Sequence, residues 1–129
     1  MSPVKLDPRS LAGRLRAAAL ALPETTEEFP WGERAFKVRA KIFLFLHAEG
    51  RGVRFSVKLP HSSAEALEQA DVEPTGYGLG KHGWVTAEVD ATRDAPIDMF
   101  EAWLVESYRA VAPKGVLAKL DAPRRGKKK

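Results

Sequence analysis

Three glycines in the second half of the chain have the spacing of a phosphate-binding loop. Gly78, Gly80 and Gly83 in GYGLGKHGWVTAEV match the G-x-G-x-x-G pattern. A dinucleotide-binding loop follows a strand and opens a helix, because the helix N-terminus supplies backbone donors to the pyrophosphate. Here the glycines follow a predicted helix and lead into a predicted strand, and Lys81 precedes His82 rather than the Ser or Thr of a P-loop. The pattern therefore indicates a flexible segment before a strand.

Other residues of catalytic type are scattered. The chain has no cysteine, which excludes disulfides, thiolate zinc sites and thiol nucleophiles. The histidines His47, His61 and His82 lack the spacing of a metal site such as H-E-x-x-H. The adjacent Glu27 and Glu28 are typical of a solvated turn, and no nucleophile elbow, kinase or EF-hand motif occurs. The sequence predicts no catalytic residue, no metal site and no cofactor, and hence a protein that is not an enzyme.

The charge of the chain is concentrated at its C-terminus. The formal net charge is +4, and the last eight residues, APRRGKKK, contain five basic side chains and no acid, whereas the preceding 121 residues hold 16 basic and 17 acidic ones. The N-terminal apolar stretch is short and interrupted by arginines, unlike a signal peptide or a spanning helix. We therefore predict one soluble, cytoplasmic domain over residues 1–121, not associated with a membrane, and a disordered basic tail at 122–129.

Hydrophobic periodicity predicts helices at both ends of the chain. Asp7 and Pro8 are predicted as the cap and first residue of an amphipathic helix that ends before Pro23. The S-x-x-E spacing of Ser62 and Glu65 predicts a capping box and a short helix through about residue 70. A long helix is predicted to open at residues 94–96, and a short helical turn at VLAKL follows it.

Alternation predicts the strands. The segment RAFKVRAKIFLFLHAEGRGVRFSVKL alternates and breaks at Ala40 and at EGRG, which predicts a meander of three strands after an acidic turn, PETTEEFPWGE. A further strand is predicted at residues 84–89. The first and third strands alternate apolar with mostly basic side chains, and the middle strand is apolar on both faces, with Phe43, Phe45 and His47 on one of them. This order predicts a single α+β domain with an antiparallel sheet, and with the N- and C-terminal helices packed mainly on one face.

Two stretches carry a family resemblance. EEFPWGERAFKVRAKIFLFL and GYGLGKHGWVTAEV resemble conserved blocks of the MmcQ/YjbR-like family of small bacterial proteins, and the order of elements is similar over about residues 8 to 120. The resemblance rests on Pro30-Trp31-Gly32, Phe36-Lys37-Val38, Lys41-Ile42-Phe43, Gly76-Tyr77, Lys81-His82 and Trp84-Val85. It implies a fold similar to secretion chaperones, a CyaY-like topology, and a DNA-binding role with a double wing of hairpins. It implies no catalytic or base-reading residue.

The first functional hypothesis is non-specific DNA binding by a basic sheet face. Acids such as Glu65 and Glu68 are predicted on helices, so the cations would be segregated on the sheet, and Trp84 with Phe43 or Phe45 could stack exposed bases. The alternative is a purely structural role, in which the cations keep an exposed sheet soluble and Trp84 packs under the last helix. The predicted phosphate contacts are Lys37, Arg39, Lys41, Arg51, Arg54, Lys58 and Lys81.

Two other functions fit the sequence. One is a protein-interaction module without catalytic activity, which the chaperone-like fold implied by the resemblance favours. The other is a small-molecule pocket, since aromatic side chains around a titratable histidine can form a ligand site. The predicted pocket residues are Trp31, Tyr77, His82 and Trp84.

Overall fold

The computed structural model describes residues 6–29, 33–76, 78–90 and 96–121 of the chain. Within these ranges, six strands form one antiparallel sheet in the order β1-β2-β3-β4-β6-β5. The elements are α1 (Leu11–Leu20), β1 (Thr25–Glu28), β2 (Arg34–Val38), β3 (Lys41–Glu49), β4 (Gly52–Lys58), α2 (Ser63–Ala66), β5 (Val72–Pro74), β6 (Trp84–Asp90), α3 (Ile97–Val111) and α4 (Lys114–Asp121). The predicted α+β class is confirmed. The predicted basic tail lies outside the described residues.

The strands include all four that were predicted and two that were not. The predicted meander is β2, β3 and β4, and the predicted fourth strand is β6. The predicted acidic turn is wrong in part, because Thr25–Glu28 of that segment forms β1. β1 and β5 are the two edge strands of the sheet. Both are short and largely polar, so their own sequences show no alternation that would predict a strand. They are strands because each pairs with a longer neighbour.

Two predicted helix caps are replaced by other residues. Ser10, rather than Asp7, caps α1, and its hydroxyl accepts a hydrogen bond from the Gly13 N–H at 3.0 Å. The predicted capping box is absent, since the Ser62 hydroxyl makes no cap bond and α2 ends at Ala66. α3 begins one residue after Pro96, while residue 94 lies outside the described residues. No described helix combines the length and apolarity needed to cross a membrane.

A single apolar core lies between one face of the sheet and the helices. Phe43 on β3 makes an edge-on contact with Tyr108 on α3, with ring centroids 5.2 Å apart, and Phe55 on β4 contacts Phe100 at 4.9 Å. The predicted inward residues of the first and third strands are buried, and α1, α2, α3 and α4 each add buried side chains to the same core. Burial of this apolar surface is the main stabilising contribution to the fold.

A β-bulge changes the predicted orientation of Phe43. Phe36 pairs with Leu44 while the next residue on β2 pairs with Ile42, so Phe43 is an extra residue without a partner on β2. A bulge of this kind turns consecutive side chains toward one face. Phe43 and Leu44 are therefore both buried in the core. The prediction that Phe43 shares a face with Phe45 is wrong.

Candidate functional site

The second face of the sheet, opposite the core, carries four of the predicted functional residues: Lys37, Arg54, Lys58 and Trp84. Strand pairing places Phe45 beside Ser56, Ser56 beside Thr86, Arg54 beside Glu88 and Lys58 beside Trp84. Directly paired residues point to the same side of a sheet. We call this surface the polar face and define it by Lys37, Phe45, His47, Arg54, Ser56, Lys58, Trp84, Thr86 and Glu88.

Three of the predicted phosphate contacts lie at the same end of the sheet. Lys41 begins β3, Lys58 ends β4, and Lys81 lies in the 3-10 turn Leu79–His82 that precedes β6. Because neighbouring strands run antiparallel, the start of β3, the end of β4 and the start of β6 share one end of the sheet. Lys41 and Lys81 are exposed and Lys58 is half-buried. No described residue forms an ion pair with any of the three, which we call the basic end.

Lys37 and Arg39 also lie toward the basic end, but each has an acidic partner. The Lys37 ammonium is 3.1 Å from a carboxylate oxygen of Glu28 on β1. Arg39 and Lys119 both donate to the carboxylate of Glu24, and these hydrogen bonds, the one from Arg39 first, lower the pKa of Glu24 to about 2. The Arg39 guanidinium therefore joins the turn after α1 to the β2–β3 turn, which is a structural role.

Arg51 and Arg54 lie toward the opposite end of the sheet, among acids. Arg51 is in the β3–β4 turn, and Arg54 is 3.0 Å from Glu33 and 3.7 Å from Glu88. The expected segregation of cations on the sheet and acids on helices is therefore wrong, since Glu28 and Glu88 belong to strands. Acids and cations are mixed at this end, where Glu33 and Glu88 flank Arg54. The seven predicted contacts do not form one continuous surface.

The aromatic residues of the polar face are largely covered. Trp84 is 8% exposed, and its ring is tilted against Phe45, with centroids 5.9 Å apart. The alternative prediction that Trp84 packs under the last helix is also wrong, since Trp84 is on the face opposite the core. Of the predicted pocket, Trp31 and Tyr77 lie outside the described residues and His82 is exposed.

A cavity of about 410 Å³ opens at the end of the sheet opposite the basic end, near the β3–β4 turn. Its charged lining is mixed, since Arg51 and Arg54 lie there with Glu49, Glu88 and Asp90. His47 also lines it, and its Nε2 is 3.3 Å from an oxygen of Glu49. Within the described residues, no three His, Asp or Glu side chains are grouped so that they could hold a metal ion.

Two polar residues on α3 position the basic end, and the sequence interpretation missed both. The hydroxyl of Ser107, which is fully buried, accepts from the Lys58 N–H at 2.8 Å and donates to the Phe43 carbonyl at 2.5 Å. The carboxylate of Glu106 accepts from the N–H groups of His61 and Ser62 and from the Ser62 hydroxyl, at 2.7–3.0 Å. In the sequence, the only indication of this role was a serine next to the apolar residues on the buried side of α3.

Comparisons with known proteins agree with this fold. A family model described as YjbR matches residues 20–110. The crystal structure of the Deinococcus radiodurans protein DR2400, described with a DUF419 domain, is 28% identical with a TM-score of 0.68, covering 84% of this chain and 83% of that one. A Pseudomonas syringae protein, at 16% identity and a TM-score of 0.50, covers 67% of this chain and 86% of its own and shows similarity of fold alone. No curated protein matches the chain.

Proposed function

The chain belongs to the YjbR family, and we propose that it binds nucleic acid without sequence preference through the basic end of its sheet. The observation that carries this proposal is the placement of Lys41, Lys58 and Lys81, none with a described acidic partner, at one end of three antiparallel strands. The DNA-binding role implied by the family resemblance supports it. In this proposal the protein acts in the cytoplasm as a binding protein, without a cofactor or catalytic step.

Unpaired lysines are better phosphate ligands than paired ones. A lysine without an acidic partner can neutralise a phosphate and release a condensed counterion without first breaking an ion pair. Three other predicted contacts already have acidic partners: Lys37 has Glu28, Arg39 has Glu24, and Arg54 has Glu33 and Glu88. Each would have to break its ion pair before it could bind a phosphate. We therefore narrow the predicted contacts to the basic end, with Lys37 beside it as a weaker contributor.

The absence of base readout follows from the chemistry of these side chains. Lysine ammonium groups contact phosphates as point charges and carry no base-specific geometry. Trp84 is nearly covered by its neighbours, so it offers little ring surface for stacking. The expected binding is electrostatic and similar for different sequences.

Salt dependence tests the proposal. We would titrate labelled duplex DNA with the full chain by fluorescence anisotropy at about 50 and about 200 mM salt. With three phosphates neutralised, the affinity should fall roughly 40-fold between these concentrations, because each contact contributes about 0.9 to the logarithmic slope. Single variants Lys41→Gln, Lys58→Gln and Lys81→Gln should each reduce that slope by about 0.9.

The matched control is Arg51→Gln, which removes an exposed cation at the opposite end of the sheet. It should leave the slope unchanged. A variant with Lys127, Lys128 and Lys129 changed to Gln separates the contribution of the C-terminal segment. No binding at low salt, or equal losses for Arg51→Gln and the three lysine variants, would contradict the proposal.

A protein partner is the second candidate function. It is favoured by the centre of the polar face, where the half-buried Phe45 lies beside the hydroxyls of Ser56 and Thr86. The nearby cations Lys37 and Arg54 are paired with acids. Aromatic side chains surrounded by polar groups are typical of protein interfaces. Capture of a stable protein partner that Phe45→Ser abolishes would support this function over nucleic-acid binding.

A further inference from the structure

We propose that the polar face is also a self-association surface, on which two copies of the chain dock face to face as a weak two-fold symmetric dimer. The face belongs to an open sheet whose other side is occupied by the core. We choose a second copy as the partner because turning one copy end to end would bring the lysines at one end of its face over the acids at the other end of its partner's face. This proposal does not rest on nucleic-acid binding.

The polar face has opposite charges at the two ends of its strands. At one end, Lys58 lies beside Trp84, with the exposed Lys81 in the adjacent turn. Toward the other end, the guanidinium of Arg54 lies between the carboxylates of Glu33 and Glu88, so this cluster has two acids for one base. The neighbouring edge adds Asp71 and Glu73, which line a polar groove of about 310 Å³ together with Thr86 and Glu88.

A two-fold axis relates these ends through the middle of the face. Ser56 and Thr86 are paired, and Lys58 follows Ser56 by two residues just as Glu88 follows Thr86 by two. An axis that lies across the strands along the Ser56–Thr86 row reverses the strand direction in the second copy. Because Arg54 precedes Ser56 by two residues on the same strand, Lys58 of one copy then lies over Arg54 of the other, with the carboxylates of Glu33 and Glu88 beside it, and the reverse contact forms by symmetry.

The centre of the face suits contact with itself. Phe45 is in the same row as Ser56, so the axis places Phe45 of one copy against Phe45 of the other. Each ring is half-buried in the single chain and would lose its remaining contact with water. The hydroxyls of Ser56, Thr86 and Thr75 already bond one another at 2.8–2.9 Å, so covering them leaves no unpaired hydroxyl in this row.

The size of the face indicates a weak dimer. Six strands about 4.8 Å apart and about 20 Å long give a projected area on the order of 500 Å². Stable interfaces bury about 800 Å² of accessible surface per partner. The dimer should therefore form at high protein concentration and low salt, and should dissociate on dilution. Because Lys58 serves both surfaces, nucleic acid and a second copy would compete.

Reciprocal charge reversal tests the arrangement. Sedimentation equilibrium of the full chain, free of nucleic acid, would be measured over a range of concentrations at low and high salt. The wild-type protein should show a dimer at low salt that high salt weakens. Lys58→Glu and Glu88→Lys should each be monomeric, and the double variant should recover the dimer because each copy then presents the reversed pair. Glu65→Lys, on α2 outside the face, is the matched control and should dimerise as the wild type does.

Thermal melts of every variant exclude unfolding as the cause of a monomer. A wild-type protein that stays monomeric at all concentrations would overturn the proposal and leave the face to other partners. Dimerisation that survives both single reversals would overturn the assignment to this face. Monomeric single variants without recovery in the folded double variant would overturn the proposed axis.

Discussion

The substitution Ser107→Ala should destabilise the protein far more than its size implies. The Ser107 hydroxyl bridges the Lys58 N–H and the Phe43 carbonyl and has no exposed surface. The β3–β4 pairing begins only at Leu44 and Val57, because Phe43 is the extra residue of the bulge. The hydroxyl thus takes the place of a strand-to-strand hydrogen bond where the two strands separate.

The magnitude follows from the groups that lose their partner. Alanine nearly matches serine in volume, so no sizeable cavity forms, but a buried donor and a buried acceptor are left unsatisfied. Each costs about 1–3 kcal/mol, which gives a loss of about 2–6 kcal/mol in the free energy of unfolding. For a domain of this size, at roughly 4 °C per kcal/mol, that corresponds to a decrease in Tm of roughly 7–22 °C. The same change should loosen Lys58, whose backbone the bond holds.

Urea unfolding followed by circular dichroism measures this loss, with thermal melts as a second reading. The matched control is Ser63→Ala, at the start of α2, where no described group bonds the hydroxyl. The control should change the free energy of unfolding by less than about 0.5 kcal/mol, as most surface substitutions do. If Ser107→Ala falls within that same limit, the hydroxyl bridge does not stabilise the bulge and the reasoning is refuted.

Three further perturbations follow from the structure. The pKa of Glu24 is lowered to about 2 in the folded protein, so its ion pairs stabilise the fold above the ordinary carboxyl range and lose this effect as the pH falls toward 2. The difference in Tm between the wild type and Glu24→Gln should therefore shrink over that pH interval. Glu106→Ala should speed amide hydrogen exchange at Ser62, whose N–H it releases, and an unchanged rate would contradict the contact. Gly83→Ala should lower the free energy of unfolding by about 1–2 kcal/mol, because Gly83 has a φ of +89° and the added Cβ would lie 3.2 Å from a backbone oxygen. The control is Gly115→Ala, where the added Cβ would have nothing within 4 Å.

Local patterns in the sequence were sufficient for the class of fold and for most of its core. The alternation of Phe36 and Val38 on β2, and of Val53, Phe55 and Val57 on β4, predicted strands and the face that each one buries. The lack of cysteine excluded thiol chemistry. The order of elements predicted an antiparallel α+β domain. These inferences succeeded because a period of two along a strand is set by neighbouring residues alone.

The tertiary structure decided what depends on residues far apart in the chain. The edge strand β1 exists because β2 pairs with it, and the bulge at Phe43 exists because of the register between β2 and β3. Residue type made all seven cations equal candidates, whereas strand pairing brought Arg54 next to Glu88 and left Lys58 without an acidic partner among the described residues. An ion pair depends on the distance between side chains from different strands, and that distance is set only when the sheet is assembled.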